Sequence, residues 1–278
     1  MGYAKLWAKW RGRYRRNIHR FFFRQPFVVE GDVPFISFTF DDFPRSALFT
    51  GGAILKRFGA VGTYYACFGL MGQQAPTGPI FLPEDLNMLL EQGHELGCHT
   101  FGHCHSWETT AGAFEASIVD NRRALCEQLP GAFFRTFSYP ISEPRPRNKH
   151  KVARHFACGR GGGQTINAGT TDLNCLRAFF LEQSRDNPEA VMKLIDLNRR
   201  ARGWLVFATH DISNTPTPYG CTPDYFEEVV QSALSSGARI LPVFQALETL
   251  RLRNSQAVAN FPPRDGLVGG EDVKRNRL

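Results

Sequence analysis

Between residues 33 and 250, short apolar runs rich in β-branched and aromatic side chains recur, and helix-length stretches separate most of them. The runs fall at 34–40, 61–67, 94–98, 132–139, 174–180, 203–209 and 238–242. The helical stretches fall at 44–58, 83–92, 111–128, 187–201 and 222–236, and segment 244–252 follows the last strand. Two of them open as helices should, on Pro83-Glu84-Asp85 and Thr222-Pro223-Asp224, with proline and acid in the first turn. Strands joined by helix-length crossovers pair in parallel. The predicted class is α/β. Seven such strands suit a closed or nearly closed β/α barrel better than a small open sheet, with a doubly wound sheet as the competing topology. Gly161-Gly162-Gly163 has neither the dinucleotide nor the P-loop signature and reads as a flexible connection.

The charge is unevenly spread. Residues 1–24 hold eight of the 33 basic side chains and no acid, so the remaining chain is close to neutral. In this segment Tyr3, Trp7, Trp10, Tyr14, Ile18 and Phe21 recur every three or four residues and share one face of a helix. A basic helix with an aromatic face suits an anionic membrane surface; packing on its own domain is the other reading. No groove-reading motif accompanies the charge, so no nucleic acid is expected. Leu6 stands where N-myristoylation needs Ser or Thr. No apolar run approaches the ~20 residues of a membrane span, and Phe21-Phe22-Phe23 is too short for the core of a secretory signal. A cytoplasmic location is expected, with peripheral contact at the inner face of the membrane as its membrane-bound form. The seven cysteines include no C-x-x-C pair, which argues for reduced, buried thiols. The chain therefore divides into a basic segment 1–30, a folded domain 31–252 and a polar tail 253–278 read as disordered.

Chemistry concentrates at two strand ends. Phe35-Ile36-Ser37-Phe38-Thr39-Phe40 stops on Asp41 and Asp42, and adjacent carboxylates need a cation, an arginine or solvent to offset their repulsion. Strand 94–98 runs into His99-Thr100-Phe101-Gly102-His103; one helical turn would set both imidazoles on the same side. Two imidazoles and a carboxylate make a three-ligand site for Zn2+ or a similar divalent ion, with positions left open. His94 reads as a packed histidine, while Cys104 and His105 lie within reach of the same turn.

Thr39-Phe40-Asp41-Asp42 and His99-Thr100-Phe101-Gly102-His103 resemble the first two motifs of the polysaccharide deacetylases, the NodB-homology group or carbohydrate esterase family four. Thr136-Phe137-Ser138-Tyr139-Pro140 resembles the third, and Leu205-Val206-Phe207-Ala208-Thr209-His210-Asp211 the fifth. The likeness covers about residues 33–250 and implies a distorted (β/α)7 barrel. It implies that Asp42, His99 and His103 bind the metal (Zn2+ first, with Co2+, Mn2+ and Ni2+ as alternatives). Asp41 would be the general base towards the attacking water, and His210 the acid that protonates the departing amine. Main-chain N–H groups from Tyr139 to Ile141 would face the oxyanion.

The chain also departs from the family pattern. Many members carry an arginine at the place occupied by Ser138, where it orients the base; Arg135 is the candidate substitute. Ile141-Ser142 replaces the usual Tyr-Gly. The fourth motif is weak: Asp172 is a candidate to orient His210, with Arg160 and Asp211 as competitors. The implied activity is metal-dependent removal of N-acetyl groups from an amino-sugar polysaccharide, oligosaccharide or lipid-linked glycan. The same site could cleave an O-acetyl ester or another C–N amide, and a non-catalytic carbohydrate- or membrane-binding protein is the third reading.

Overall fold

The computed structural model describes residues 3–141 and 144–259. In chain order the elements are α1 (Tyr3–Ile18), β1 (Pro26–Val29), β2 (Phe35–Phe40), α2 (Ala53–Arg57), β3 (Thr63–Ala66), β4 (Gln74–Ala75), β5 (Gly78–Pro79) and α3 (Pro83–Glu91). There follow β6 (Glu95–Cys98), α4 (Ala111–Gln128), β7 (Thr136–Ser138), α5 (Pro146–His155), β8 (Cys158–Arg160), β9 (Gly169–Asp172) and β10 (Phe179–Phe180). The chain continues through α6 (Pro188–Ala201), β11 (Trp204–Thr209), α7 (Pro223–Ser235), β12 (Arg239–Ile240) and α8 (Val243–Ala259).

A parallel sheet in the order β10-β11-β2-β3-β6-β7-β8 curls into a half-barrel, and β12 joins the lower end of β2. The curl brings the two edges close: Arg160 at the end of β8 bridges in parallel to Leu176, just before β10. The strands alternate with period two. Ile36, Phe38 and Phe40 of β2, with Leu205 and Phe207 of β11, join the cluster that packs against Phe226, Val229 and Val230 of α7. Phe35, Trp204, Val206 and Ala208 belong to a second cluster with Val243, Ala246, Leu247 and Leu250 of α8. The second set faces inward and α8 closes the lower end of the barrel. Asp41 continues the inward parity of residues 35, 37 and 39.

The strands over 34–40, 61–67, 94–98, 203–209 and 238–242 form within or close to their expected limits, whereas 132–139 shortens to β7 and 174–180 to β10. Between Leu173–Cys175, a 3-10 turn, and β10 stands the exposed Arg177, which breaks the apolar run. Strand β8 was not expected; it ends at Arg160, directly before the glycine run read as a connection. Helix α5 was invisible because its buried face is Asn148, Lys149 and Val152 rather than an apolar stripe. Residues 26–29 of the N-terminal segment pair antiparallel with β9. Helix α8 carries residues 253–259 of the segment read as a tail; residues 260–278 lie outside the described residues.

Candidate active site

The upper ends of β2, β6, β7, β8, β10 and β11 build one site, the place where a β/α barrel collects side chains from several strands. Asp42 follows β2 with φ 61°. His99 follows β6, and His103 comes four residues later with φ 51°. The turn that joins the two histidines is a loop rather than the expected helical turn: Thr100 is also left-handed (φ 62°), and its hydroxyl accepts from the N–H of Cys104 at 2.9 Å. Left-handed backbone at non-glycine residues costs of order 1–3 kcal/mol each and persists where the surroundings dictate it.

Asp42, His99 and His103 offer one ligand atom each within 4.8 Å of one another, and among the described residues no other group of three donors does so. Asp42 Oδ1 stands 3.6 Å from His99 Nε2 and 3.4 Å from His103 Nε2. Its other oxygen accepts from Thr77 Oγ1 at 3.1 Å, but Oδ1 is buried without a hydrogen-bond partner. His99 Nδ1 donates to the carbonyl of Ser138 at 2.8 Å; a carbonyl can only accept, so Nδ1 carries the proton. Burial, partly opposed by the Asp41 charge, holds the His99 imidazole down at about 4, so at neutral pH its Nε2 presents a lone pair to the carboxylate. A lone pair facing an orphaned carboxylate oxygen is unfavourable unless a cation lies between them. The donor set fits a divalent ion. Cys104 Sγ instead bonds Ser117 Oγ, and His105 Nδ1 accepts from the N–H of Trp107. His94 accepts the N–H of Gly62 at 3.0 Å and packs edge-on to Tyr64, with burial pushing it down to about 4, as suits a packed histidine.

Asp41 is buried and forms an ion pair with Arg160, itself fully buried at the end of β8. Burial opposes ionisation of Asp41, but the charge and hydrogen bond of Arg160 lead the interactions that outweigh it and hold the carboxyl well below the usual range. Arg160 lies between the rings of Tyr65 (5.1 Å) and Phe180 (5.7 Å). Tyr65 can lie there only because β6 carries Gly97: a Cβ at Gly97 would stand 2.4 Å from the Tyr65 ring. His210, half-buried after β11, holds its Nδ1 3.1 Å from the carbonyl of Tyr219. Nδ1 is therefore protonated, and Nε2 is the nitrogen free to exchange a proton. Asp211 builds the loop that brings Tyr219 there, since its carboxylate accepts both the N–H (2.9 Å) and the hydroxyl (2.5 Å) of Thr217.

Three expectations change. Arg135 does not reach Asp41; it lies at the lower end of β7 between the rings of Phe133 and Phe244, 4.2 and 4.6 Å away. Asp172 pairs with the buried Lys149 rather than with His210. The Tyr139 N–H is committed to the carbonyl of Arg160 at 3.0 Å and its hydroxyl to that of Asn174 at 2.9 Å, so Tyr139 has no donor to give an oxyanion. Ile141 is exposed in a left-handed turn (φ 62°) at the rim of the neighbouring cleft.

Two residues enter that sequence reasoning placed elsewhere or missed. Arg160 was a candidate partner of His210; the curl of the sheet delivers it to Asp41 instead. Glu182 follows β10 and the apolar Leu181, an acid at a strand tip just as Asp41 is, and that shared signature could have found it. Burial raises its carboxyl to about 7 against the opposing charge of His210, and its Oε2 is buried without a partner.

The sequence profile described as polysaccharide deacetylase matches residues 29–157. The fold is similar to the Xyl-CE4 domain of a multidomain xylanase from the hindgut metagenome of Trinervitermes trinervoides, at 15% identity and TM-score 0.56 over 78% of this chain and 91% of that one. It is similar to the peptidoglycan deacetylase PdaC of Bacillus subtilis at 17% identity and TM-score 0.56, over 83% of this chain and 98% of that one. It is also similar to a family 4 carbohydrate esterase pseudoenzyme of Bacillus anthracis, at 12% identity and TM-score 0.54, over 78% of this chain and 66% of that one. A search with the sequence finds no match among curated proteins.

Proposed function

Residues 29–157 place this chain in the polysaccharide deacetylase family, and from that premise we propose that it is a divalent-metal hydrolase that removes N-acetyl groups from an amino-sugar glycan. The observation that carries the reading is the orphaned Asp42 oxygen facing two imidazole nitrogens, one residue from an aspartate that an arginine keeps ionised. Asp42, His99 and His103 would hold the ion, for which Zn2+ suits two imidazoles and one carboxylate. When bound, the ion supplies Lewis-acid polarisation of the acyl oxygen and acidification of water.

The chain's own groups do the rest. Asp41, ionised and fixed by Arg160, accepts a proton from the attacking water. His210, its ring fixed through Nδ1 by the Tyr219 carbonyl, in its imidazolium form gives the Nε2 proton to the departing amine. Glu182 lies close enough to His210 and Asp41 for the charges of both to act on its carboxyl. Release of acetate from N-acetylated amino-sugar oligomers by the purified protein with Zn2+ tests the reading. Hydrolysis confined to O-acetyl esters, unaffected by loss of His210, would replace it with an esterase.

The N-terminal helix completes the proposal. Tyr14 and Arg15 touch Trp107 of the body, while Trp7 and Trp10 stay 75% and 64% exposed. Among the described residues no helix is long and apolar enough to cross a membrane. Exposed tryptophans on a basic helix match an anionic bilayer surface. Co-sedimentation with anionic vesicles should fall sharply on removal of residues 1–18; equal binding would remove the membrane role.

A further inference from the structure

Beside the catalytic residues a cleft of about 710 Å³ opens between residues 19–24 and the upper ends of β7, β8 and β10. Its walls carry Arg20, Arg24 and Arg177, and among the described residues none of these guanidinium groups pairs with a carboxylate. The one acid in the wall, Asp172, is already committed: its carboxylate accepts from Lys149 Nζ and from the N–H groups of Gln25 and Asn174. Among the described residues, therefore, no carboxylate balances the positive charge of the cleft. The segments that carry these arginines are held to the body. Gly163 (φ 139°) lets the stem of Arg177 lie where a Cβ would stand 3.1 Å from Arg177 Cγ, and Lys149 fastens residues 19–22 by donating to the carbonyls of His19 and Phe22 at 2.9 Å. The cleft also meets the reaction centre: Phe180 in its wall packs on Arg160, and Gln183 adjoins Glu182.

We propose that this cleft is a subsite for a phosphate or diphosphate ester carried by the substrate, so that the protein acts on a phosphorylated amino sugar rather than on a neutral polymer. The proposal rests on the hydrolase reading above. Three guanidinium groups exceed what a single carboxylate can use but match the charge and the several acceptor oxygens of a phosphate. The phosphate could belong to a soluble sugar phosphate or to a polyprenyl-linked sugar presented at a membrane.

Acetate release is measured for N-acetylglucosamine, its 1-phosphate, and a polyprenyl-diphosphate-linked N-acetylglucosamine in detergent. KM should be at least about tenfold lower for a phosphorylated compound, the scale of one charge-assisted contact. That ratio should collapse towards one in Arg24→Gln and Arg177→Gln and survive in Arg177→Lys. A gain already complete with the 1-phosphate identifies a soluble source; a gain confined to the lipid-linked compound identifies the membrane. Equal KM for all three, or a ratio unmoved by the substitutions, overturns the subsite. Should none release acetate, the hydrolase reading fails and calorimetry decides the subsite separately. Glucose 1-phosphate should then bind the full chain and weaken at least about tenfold in Arg177→Gln; no binding, or binding unchanged in the variant, overturns it.

Discussion

Arg160, from the last strand of one sheet edge, donates to Oδ1 of Asp41, from the middle of the sheet, and both side chains are buried. The pair accounts for how two adjacent carboxylates end one strand: Arg160 balances Asp41, and Asp42 turns through a left-handed residue towards two histidines. Breaking a buried ion pair from one side typically costs ~3–5 kcal/mol. Arg160→Met should lose that much in urea unfolding, and Arg160→Met/Asp41→Asn should recover a large part of it. The stability owed to the pair is full above the ordinary aspartate range near pH 4 and declines as pH falls through it, because the folded carboxyl is held low. In Arg160→Met burial acts unopposed by the arginine, so the acid limb of kcat/KM should move to higher pH.

Glu182 gives the opposite sign. Its folded carboxyl stands at about 7 against an ordinary value near 4.5, so the unfolded chain releases this proton first and stability falls as pH rises from about 4.5 to about 7. Glu182→Gln should match the wild type at pH 4.5 and exceed it at pH 8 by up to about 3 kcal/mol, the free energy of such a shift. Thermal unfolding at the two pH values checks this. The same variant should lower kcat, since the charge beside His210 is gone.

How much of this was legible in the sequence follows from where polar groups are buried. β2, β6 and β11 announced themselves as apolar runs, and the acids and histidines at their ends were found there. The pairing of Arg160 with Asp41, and Lys149 altogether, escaped because each cation is fully buried in a short or polar element, and hydrophobic periodicity carries no signal for a charge buried against a distant partner. Arg135 was a reasonable substitute by strand alone. It lies before β7 at the barrel's lower end, and only the strand direction separates it from the site.

Lys149 ties the N-terminal segment to the body through Asp172 and two carbonyls. Lys149→Met should leave a half-buried Asp172 without its cation and destabilise the chain by up to ~3 kcal/mol. Amide exchange over residues 19–25 should quicken more than exchange in β2 or β11. Uniform quickening would mean that the lysine serves the barrel as a whole.

Gly97→Ala tests the support of Arg160 by Tyr65. A Cβ 2.4 Å from the Tyr65 ring must displace it, at ~1–3 kcal/mol for overpacking. Because Tyr65 flanks Arg160, kcat should fall while KM changes little; a loss of stability with kcat intact would separate Tyr65 from the catalytic pair.

The central claim divides labour between neighbours: Asp42 for the ion, Asp41 for the proton. Zinc content after equilibrium dialysis, measured on the same samples as acetate release, tests it directly. The wild type should hold about one ion per chain, and Asp42→Asn should lose the ion and the activity together. Asp41→Asn should keep the ion while activity drops at least ~100-fold. Full zinc in Asp42→Asn, or wild-type turnover in Asp41→Asn, would contradict the account.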